Sequence, residues 1–149
     1  MEIYIDADGC PVTKLAIKIA NLYNINVNII CDSSHFFSID NVNIIMVDKG
    51  PDSADFKLAN LICKDDIAIT QDYGLAAMCL AKNARVLNQD GLEYTSSNID
   101  SMLLTRHIAK KILKSGKRLK GPKKRTCEQD NSFKEALIRI IEENTQKQV

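Results

Sequence analysis

The stretch Ile3-Tyr4-Ile5-Asp6-Ala7-Asp8-Gly9-Cys10-Pro11-Val12 decides the fold of this chain. Its apolar residues predict a buried strand, and the two aspartates follow where that strand ends. Gly9 allows a sharp exit from the strand, and Pro11 suits the first position of a helix, where a backbone N–H has no partner. The stretch therefore predicts a strand whose carboxyl end delivers Asp6 and Asp8 into a cleft.

Beyond this stretch, short β-branched segments alternate with segments whose apolar residues recur at helical spacing. Strands are predicted at 27–31, 42–47, 67–69 and 85–87, helices at about 11–23, 52–63, 73–82, 95–115 and 130–144, and a polar loop at 88–94. This alternation predicts one α/β domain over residues 1–149, a three-layer α/β/α fold with a mostly parallel sheet of about five strands. A basic helix-loop segment, 106–125, and the C-terminal helix 130–144 complete it.

The bulk composition excludes several classes of protein. With 45% hydrophobic and 26% charged residues among 149, the chain can bury a core and is not expected to be disordered. No apolar run approaches the roughly 18 residues of a membrane span, and the N-terminus lacks a secretory signal pattern. The five cysteines are irregularly spaced, which predicts reduced thiols. We expect a cytoplasmic protein with no membrane partner, and the sequence leaves a homo-oligomer open.

The formal net charge of +1 conceals an uneven distribution. Residues 106–125 contain ten basic and no acidic residues, whereas the rest of the chain has ten basic and nineteen acidic ones, a formal −9. Such a split predicts a polyanion partner, nucleic acid above all, although a solvated helix face followed by a loop is the alternative. The candidate phosphate-binding residues are Arg106, Lys110, Lys117, Arg118, Lys123, Lys124 and Arg125.

The carboxylates gain meaning from the expected topology. In a parallel α/β sheet, ligands bind beyond the carboxyl ends of the strands, at the point where the strand order reverses. Asp72 follows strand 67–69 through Thr70, as Asp6 follows the first strand. A strand order of 3-2-1-4-5 would bring the candidate residues to one crevice: Asp6, Asp8, Thr70 and Asp72, with Asp52 and Asp55 able to approach the same face.

Grouped carboxylates resist ionisation unless a cation compensates their repulsion. Hard oxygen ligands of this kind suit Mg²⁺ or Mn²⁺, which can activate a water and neutralise charge developing on a phosphate. Together with the basic segment, this predicts phosphodiester hydrolysis. Simpler interpretations stay open, because Asp52 and Asp72 could each be only a helix N-cap, and Asp55 could serve only the helix dipole.

These residues resemble the YaiI/YqxD family, a bacterial group with a PIN-like fold. The resemblance extends over about residues 2–142, and Gly9 stands where the family more often has alanine. The matching positions are Ile5–Val12, Gly50, Asp52–Asp55, Thr70–Asp72, Leu75–Ala76, Val86–Leu87, Gly91, Tyr94–Thr95, Asn98–Ile99, Arg106, Gly121–Thr126, Asp130 and Phe133.

PIN-like domains are typically metal-dependent ribonucleases, so the resemblance implies a Mg²⁺- or Mn²⁺-dependent enzyme with RNA as its partner. It implies Asp6, Asp55 and Asp72 as principal metal ligands, Asp8 and Asp52 as assisting residues and Thr70 as a polar neighbour. The block 121–125 is not part of the general PIN pattern. A basic loop of this kind could cover the cleft and hold phosphates, with Arg106 and Arg125 suited to bidentate contacts.

Three other functions remain possible on the sequence alone. Asp6-Ala7-Asp8-Gly9 resembles the start of the haloacid-dehalogenase phosphatase signature, although Cys10 replaces its threonine and the paired late aspartates are missing. Cys10 could itself be a nucleophile, because a nearby helix start would lower its pKa. The third alternative is a non-catalytic nucleic-acid-binding module or regulator. With four Phe, four Tyr and no Trp, aromatic platforms for base-specific readout are not expected.

Overall fold

Strand pairing sets the frame of the molecule. The structure, a computed structural model, describes residues 1–32, 39–50, 52–114, 116 and 124–147. These residues form one sheet of six strands: β1 (Ile3–Asp6), β2 (Val27–Cys31), β3 (Asn43–Met46), β4 (Ile67–Ile69), β5 (Arg85–Leu87) and β6 (Glu93–Tyr94). Their order is β3-β2-β1-β4-β5-β6. The first five strands are parallel, and β6 pairs antiparallel with β5.

Helices cover both faces of this sheet, namely α1 (Thr13–Leu22), α2 (Ser53–Leu61), α3 (Tyr73–Ala81), α4 (Ile99–Lys114) and α5 (Cys127–Lys147). The alternation of β1 divides the core between the faces. Ile3 and Ile5 pack with residues of α1 and α5, whereas Tyr4 packs with residues of α2, α3 and α4. The predicted three-layer α/β/α fold is therefore confirmed, and the first five strands have the order that was assumed.

Strand β6 lies in the segment predicted as a polar loop, and that prediction was wrong for its last two residues. Tyr94 is 1% exposed and belongs to the core under α3. The other residue of β6, Glu93, accepts hydrogen bonds from Nε and Nη2 of Arg85, at 2.8 and 3.0 Å, on the neighbouring strand. A strand of two residues is too short to show alternation, so periodicity could not reveal it.

Three helix starts also differ from the prediction, and one of them is that of α4, which begins at Ile99 rather than near residue 95. Pro11 does not open α1, which begins at Thr13; the backbone N–H of Cys10 donates to the carbonyl of Ala7, and Pro11 lies in the following turn. Helix α5 begins at 127 rather than 130 because Thr126 and Gln129 form a capping box. The N–H of Thr126 donates to Gln129 Oε1 at 2.8 Å, and the N–H of Gln129 donates to Thr126 Oγ1 at 3.3 Å.

Helix α4 packs against the body mainly through its first turns. Ile99 is buried and Met102 and Leu103 are partly buried, whereas the later Leu104 and Ile108 are 59% and 50% exposed. Helix α4 contains Arg106, and the basic side chains of Lys110, Lys111 and Lys114 are exposed along it. Residues 115 and 117–123 of the basic segment lie outside the described residues. Within the described chain, no helix is long and apolar enough to cross a membrane.

The loop before β6 should tolerate no side chain at Gly91. This residue has φ +88°, and an added Cβ would lie 2.5 Å from the backbone oxygen of Ser132 on α5. We expect Gly91→Ala to lose about 1–2 kcal/mol of unfolding free energy to backbone strain and about 1–3 kcal/mol more to overlap with α5. Urea-induced unfolding followed by circular dichroism measures this loss.

Gly9→Ala is the matched control, because Gly9 has φ +75° but nothing within 4 Å of an added Cβ. It should show only the strain contribution. Equal losses in the two variants would mean that the close approach of the loop to α5 contributes nothing to stability.

Candidate metal centre

The carboxyl end of β1 places Asp6 at the point where the strand order reverses. β1 lies between β2 and β4, and the N–H of Ala7 continues the pairing by donating to the carbonyl of Ile30 at 3.0 Å. Asp6 is partly buried, whereas Asp8 is exposed in the turn that follows. As predicted, both aspartates lie where this strand ends.

Thr70 connects Asp6 to the next strand. Its Oγ1 donates to Asp6 Oδ2 at 3.0 Å, and the same oxygen accepts from the backbone N–H of Asp72 at 3.0 Å. Thr70 is 1% exposed, and its backbone N–H donates to the carbonyl of Leu87 on β5. The hydroxyl therefore has little freedom and orients the Asp6 carboxylate from the end of β4.

Asp72 is the N-cap of α3. Its Oδ1 accepts hydrogen bonds from the N–H groups of Gly74 and Leu75, at 2.8 and 3.1 Å. The alternative that Asp72 is a helix N-cap is therefore confirmed. Capping does not remove the residue from the cleft, because Asp72 also lines it. A carboxylate at this helix end is held by two backbone donors and favoured by the helix dipole.

Asp8 also has a structural contact. Its Oδ2 accepts from the backbone N–H of Asp32 at 2.7 Å, which connects the turn after β1 to the end of β2. Gln71 anchors the other side of this turn, since its Nε2 donates to the carbonyl of Gly9 at 2.9 Å. The turn is thus held from both neighbouring strands.

These side chains surround one open cleft of about 490 Å³, lined by Asp6, Asp8, Gly9, Gln71, Asp72 and Tyr73. The structure brings three of the five predicted acids together, with Thr70 supporting Asp6 from beneath. Sequence reasoning assigned no role to Gln71 or Tyr73. Their positions on either side of Asp72, directly after β4, were the available signal.

The acids of the cleft repel one another. Burial raises the pKa of Asp6, the charges of Asp72 and Asp8 raise it further, and the hydrogen bond from Thr70 opposes these effects. The charged form of Asp6 is therefore held in an unfavourable environment. Uncompensated negative charge in a cleft is typical of a site that receives a cation.

Asp52 and Asp55 are not among the residues that line the cleft. Asp52 stands at the N-cap position of α2 with φ +64° and makes no side-chain cap bond, contrary to the capping alternative. Asp55 lies in the first turn of α2. The pKa of the buried Cys79 is raised to about 12, mainly by burial, and the charge of Lys82 opposes this effect. The charges of Asp55 and Asp6 add to the increase. Asp55 and Asp6 thus both act on the thiol of Cys79 on α3.

The acidic side chains of the cleft do not suit every metal equally well. Within the described residues, no group of three His, Cys, Asp or Glu side chains is placed so that it could hold a metal ion. A closed structural site of the kind built for zinc is therefore not formed there. Asp6 and Asp72 alone would suit Mg²⁺ or Mn²⁺ better, because Mg²⁺ usually takes one or two carboxylates and completes its shell with waters and substrate phosphates.

The predicted phosphate-binding residues lie in different places. Arg106 and Lys110 belong to α4, and Lys124 is exposed before α5. Lys117, Arg118 and Lys123 are outside the described residues. Arg125 is bound internally: Nε and Nη1 donate to Asp130 and Asp90 at 2.7 and 2.8 Å, and Nη2 donates to the carbonyl of Gln89.

Cys10 does not have the environment of a nucleophile. Burial raises the pKa of its thiol, more than the hydrogen bonds from Thr13 and the backbone of Val12 lower it. The alternative in which a helix start lowers this pKa is therefore not supported. The reason is that α1 begins three residues later and Cys10 is partly buried.

Comparison with known proteins supports the resemblance found in the motifs. A family model described as "Uncharacterized BCR, YaiI/YqxD family" matches residues 4–143. A "UPF0178 protein" of Exiguobacterium sibiricum is 43% identical over 145 residues, covering 97% of this chain and 99% of the relative. Another, of Ruminiclostridium cellulolyticum, is 46% identical over 141 residues, covering 95% and 92%. A third, of Alkaliphilus oremlandii, is 46% identical over 147 residues, covering 99% and 95%. No solved structure matches significantly.

The raised pKa of Asp6 makes a prediction about stability. A carboxyl group with a higher pKa in the folded state stabilises the fold at low pH, and this contribution is lost as pH rises through the folded-state pKa. Asp6→Asn removes the buried charge and its repulsion with Asp72 and Asp8. In chelator at pH 7 the variant should unfold at a higher temperature than the wild type, and the difference should shrink towards pH 3.

Asp40→Asn is the control, because Asp40 is exposed and lies outside the cleft. It should leave the midpoint of thermal unfolding unchanged at both pH values. An Asp6→Asn protein that unfolds at a lower temperature than the wild type at pH 7 would show that the Asp6 carboxylate stabilises the fold.

Proposed function

The chain belongs to the YaiI/YqxD family, and we propose that it is a Mg²⁺- or Mn²⁺-dependent nuclease that hydrolyses phosphodiester bonds of RNA. One observation carries this proposal: Asp6, Asp8 and Asp72 line one cleft, at the carboxyl end of the two strands where the order reverses. In α/β sheets this is the place where ligands bind. The names of the family and of the relatives state no activity, so the proposal rests on the site.

The residues of the cleft would have different roles in such a site. Asp6 and Asp72 would hold the cation, with Asp8 on the opposite side of the turn. Thr70 keeps Asp6 oriented, because its hydroxyl is fixed between the Asp6 carboxylate and the Asp72 backbone. A bound Mg²⁺ or Mn²⁺ supplies a water of lowered pKa and neutralises charge that develops on the phosphate.

The electrostatics of Asp6 support a cation more than a purely structural role. A structural carboxylate is usually stabilised by its surroundings, and its pKa falls. The pKa of Asp6 rises instead, from burial and from the charges of Asp72 and Asp8. A divalent cation would reverse this balance, so the unfavourable environment of the apo site favours binding.

Phosphate contacts would come from outside the acidic cleft. Lys110, Lys111 and Lys114 are exposed on α4, and Lys124 is exposed before α5. Such lysines hold a polyanion without reading its sequence. Arg125 would contribute differently, because its guanidinium is occupied by Asp90, Asp130 and the Gln89 carbonyl.

One observation favours a second candidate, a non-catalytic nucleic-acid-binding module. The described residues contain no group of three ligands ready to hold a metal. If the cleft recruits no cation, the exposed lysines of α4 would carry the function alone. RNA binding that persists in chelator, without cleavage at any Mg²⁺ or Mn²⁺ concentration, would identify this function and overturn the nuclease.

Metal binding and cleavage are tested together. Mn²⁺ is titrated calorimetrically into chelator-stripped protein, and cleavage of an end-labelled single-stranded RNA is followed with Mn²⁺. Asp6→Asn should lower both the Mn²⁺ affinity and the cleavage rate by more than about 100-fold, the upper end of the loss seen when an outer-shell residue is changed. Asp72→Asn should do the same without unfolding α3, because asparagine is as good an N-cap as aspartate.

Asp40→Asn again serves as the control and should bind and cleave like the wild type. An Asp6→Asn protein that cleaves as fast as the wild type would show that hydrolysis does not take place in this cleft or is caused by a contaminant.

A further inference from the structure

A second cavity adjoins the acidic cleft. It measures about 320 Å³ and is lined by Gly9, Pro11, Gln71, Gln89, Arg125 and Gln129, together with Asp90. Gly9 and Gln71 line both cavities, so the two lie side by side. Its size is at the lower end of the range for small-molecule sites, about 300–1,000 Å³. We call it the glutamine pocket.

The one guanidinium of the glutamine pocket, that of Arg125, is paired with two carboxylates. Arg125 donates from Nη1 to Asp90 and from Nε to Asp130, at 2.8 and 2.7 Å, and from Nη2 to the carbonyl of Gln89. Its guanidinium is therefore used in holding the loop before β6 against the start of α5. A pocket with paired charges gives a phosphate little reason to enter and suits a neutral polar ligand.

The walls of the glutamine pocket are held in place. Asn88 Oδ1 accepts from the N–H groups of Asp90 and Leu92, both at 2.9 Å, which shapes the loop that carries Gln89. The same loop approaches α5 so closely at Gly91 that a Cβ would overlap its backbone. The opposite wall begins with the capping box in which Gln129 Oε1 accepts from the N–H of Thr126. Preorganised walls of this kind are typical of recognition sites.

Three side-chain amides contribute unused hydrogen-bonding groups to this pocket. Gln71 donates through Nε2 to Gly9, which leaves its Oε1 as an acceptor. Gln129 accepts through Oε1, which leaves its Nε2 as a donor. The side chain of Gln89 makes no hydrogen bond to another described residue and offers both groups. The amides therefore present donors and acceptors together, without a net charge.

We propose that the glutamine pocket is a nucleobase subsite that holds the base of a nucleotide whose phosphate lies at the acidic cleft. The position of the phosphate at the acidic cleft rests on the proposed nuclease function. The position of the base rests on the glutamine pocket alone. A carboxamide pairs with adjacent donor and acceptor atoms on a base edge, as glutamine does with adenine. Flipped-out bases of single-stranded RNA expose those edges.

This mode of recognition differs from aromatic stacking, for which the chain has few residues. Among the residues that line the pocket, the exposed Pro11 is the one with an apolar side chain, so specificity would come from hydrogen bonds. The subsite would therefore select among bases by the pattern of their donors and acceptors.

The test uses neutral nucleosides, which need neither a metal nor hydrolysis. Adenosine, guanosine, cytidine and uridine are titrated separately into ¹⁵N-labelled wild-type protein in chelator, and the side-chain amide resonances of its glutamines are followed by NMR. At least one nucleoside should shift the Gln89 and Gln129 amide signals saturably, whereas ribose should not. Gln89→Leu should weaken that binding about tenfold or more, the loss expected for one bidentate base contact.

Gln146→Leu is the matched control. Gln146 is exposed on α5, roughly 25 Å along the helix from Gln129 at about 1.5 Å per residue. Its change should leave nucleoside affinity as in the wild type. Gln71→Met serves as a second pocket variant if Gln89→Leu gives a poorly dispersed spectrum, and it should also weaken binding.

The outcomes separate this inference from the nuclease. No saturable shift with any nucleoside, equal shifts with ribose, or unchanged binding in both pocket variants would overturn the subsite, whatever the cleavage assay shows. Nucleoside binding that depends on Gln89 would establish the subsite even in a protein that cleaves no RNA, and in that case only the nuclease would be lost.

Discussion

The hydrogen bond from Thr70 Oγ1 to Asp6 Oδ2, at 3.0 Å, is the contact on which the site depends. It joins the ends of β1 and β4, the two neighbouring strands between which the chain changes direction across the sheet. Because the Asp72 N–H donates to the same hydroxyl, the start of α3 is positioned by it as well. Burial and the charges of Asp72 and Asp8 nevertheless raise the pKa of Asp6. Locally unfavourable arrangements held by a well-packed surrounding are typical of functional sites.

Each acid of the cleft also has a structural contact, so function cannot be inferred from the acids being held in place. Asp72 caps α3 and Asp8 accepts from the Asp32 N–H. Either contact would satisfy a residue with no other role. Asp6 differs, because the hydrogen bond from Thr70 does not outweigh the burial and repulsion that raise its pKa. The placement of Asp6, Asp8 and Asp72 around one cleft is what supports a cation, and the unfavourable environment of Asp6 agrees with it.

The sequence predicted the sheet and the position of the cleft for a clear physical reason. Runs such as Val27–Cys31 and Ile67–Ile69 are β-branched and buried, and the carboxyl ends of parallel strands share one edge. It did not predict β6, the capping box at Thr126 or the internal use of Arg125. Those features depend on pairs such as Arg125 with Asp90, which are 35 residues apart and become neighbours only when α5 packs on the sheet.

The charge distribution explains what a subsite for an uncharged base would add to the proposed nuclease. An acidic cleft repels the phosphates it would act on until a cation compensates its charge, and the exposed lysines of α4 attract every polyanion alike. Neither feature selects a position along an RNA strand. The glutamine pocket, whose Arg125 is neutralised by Asp90 and Asp130, can hold a base without that repulsion. Selectivity would then arise from hydrogen bonds on a rigid wall, and the cation would be needed only where the bond is broken.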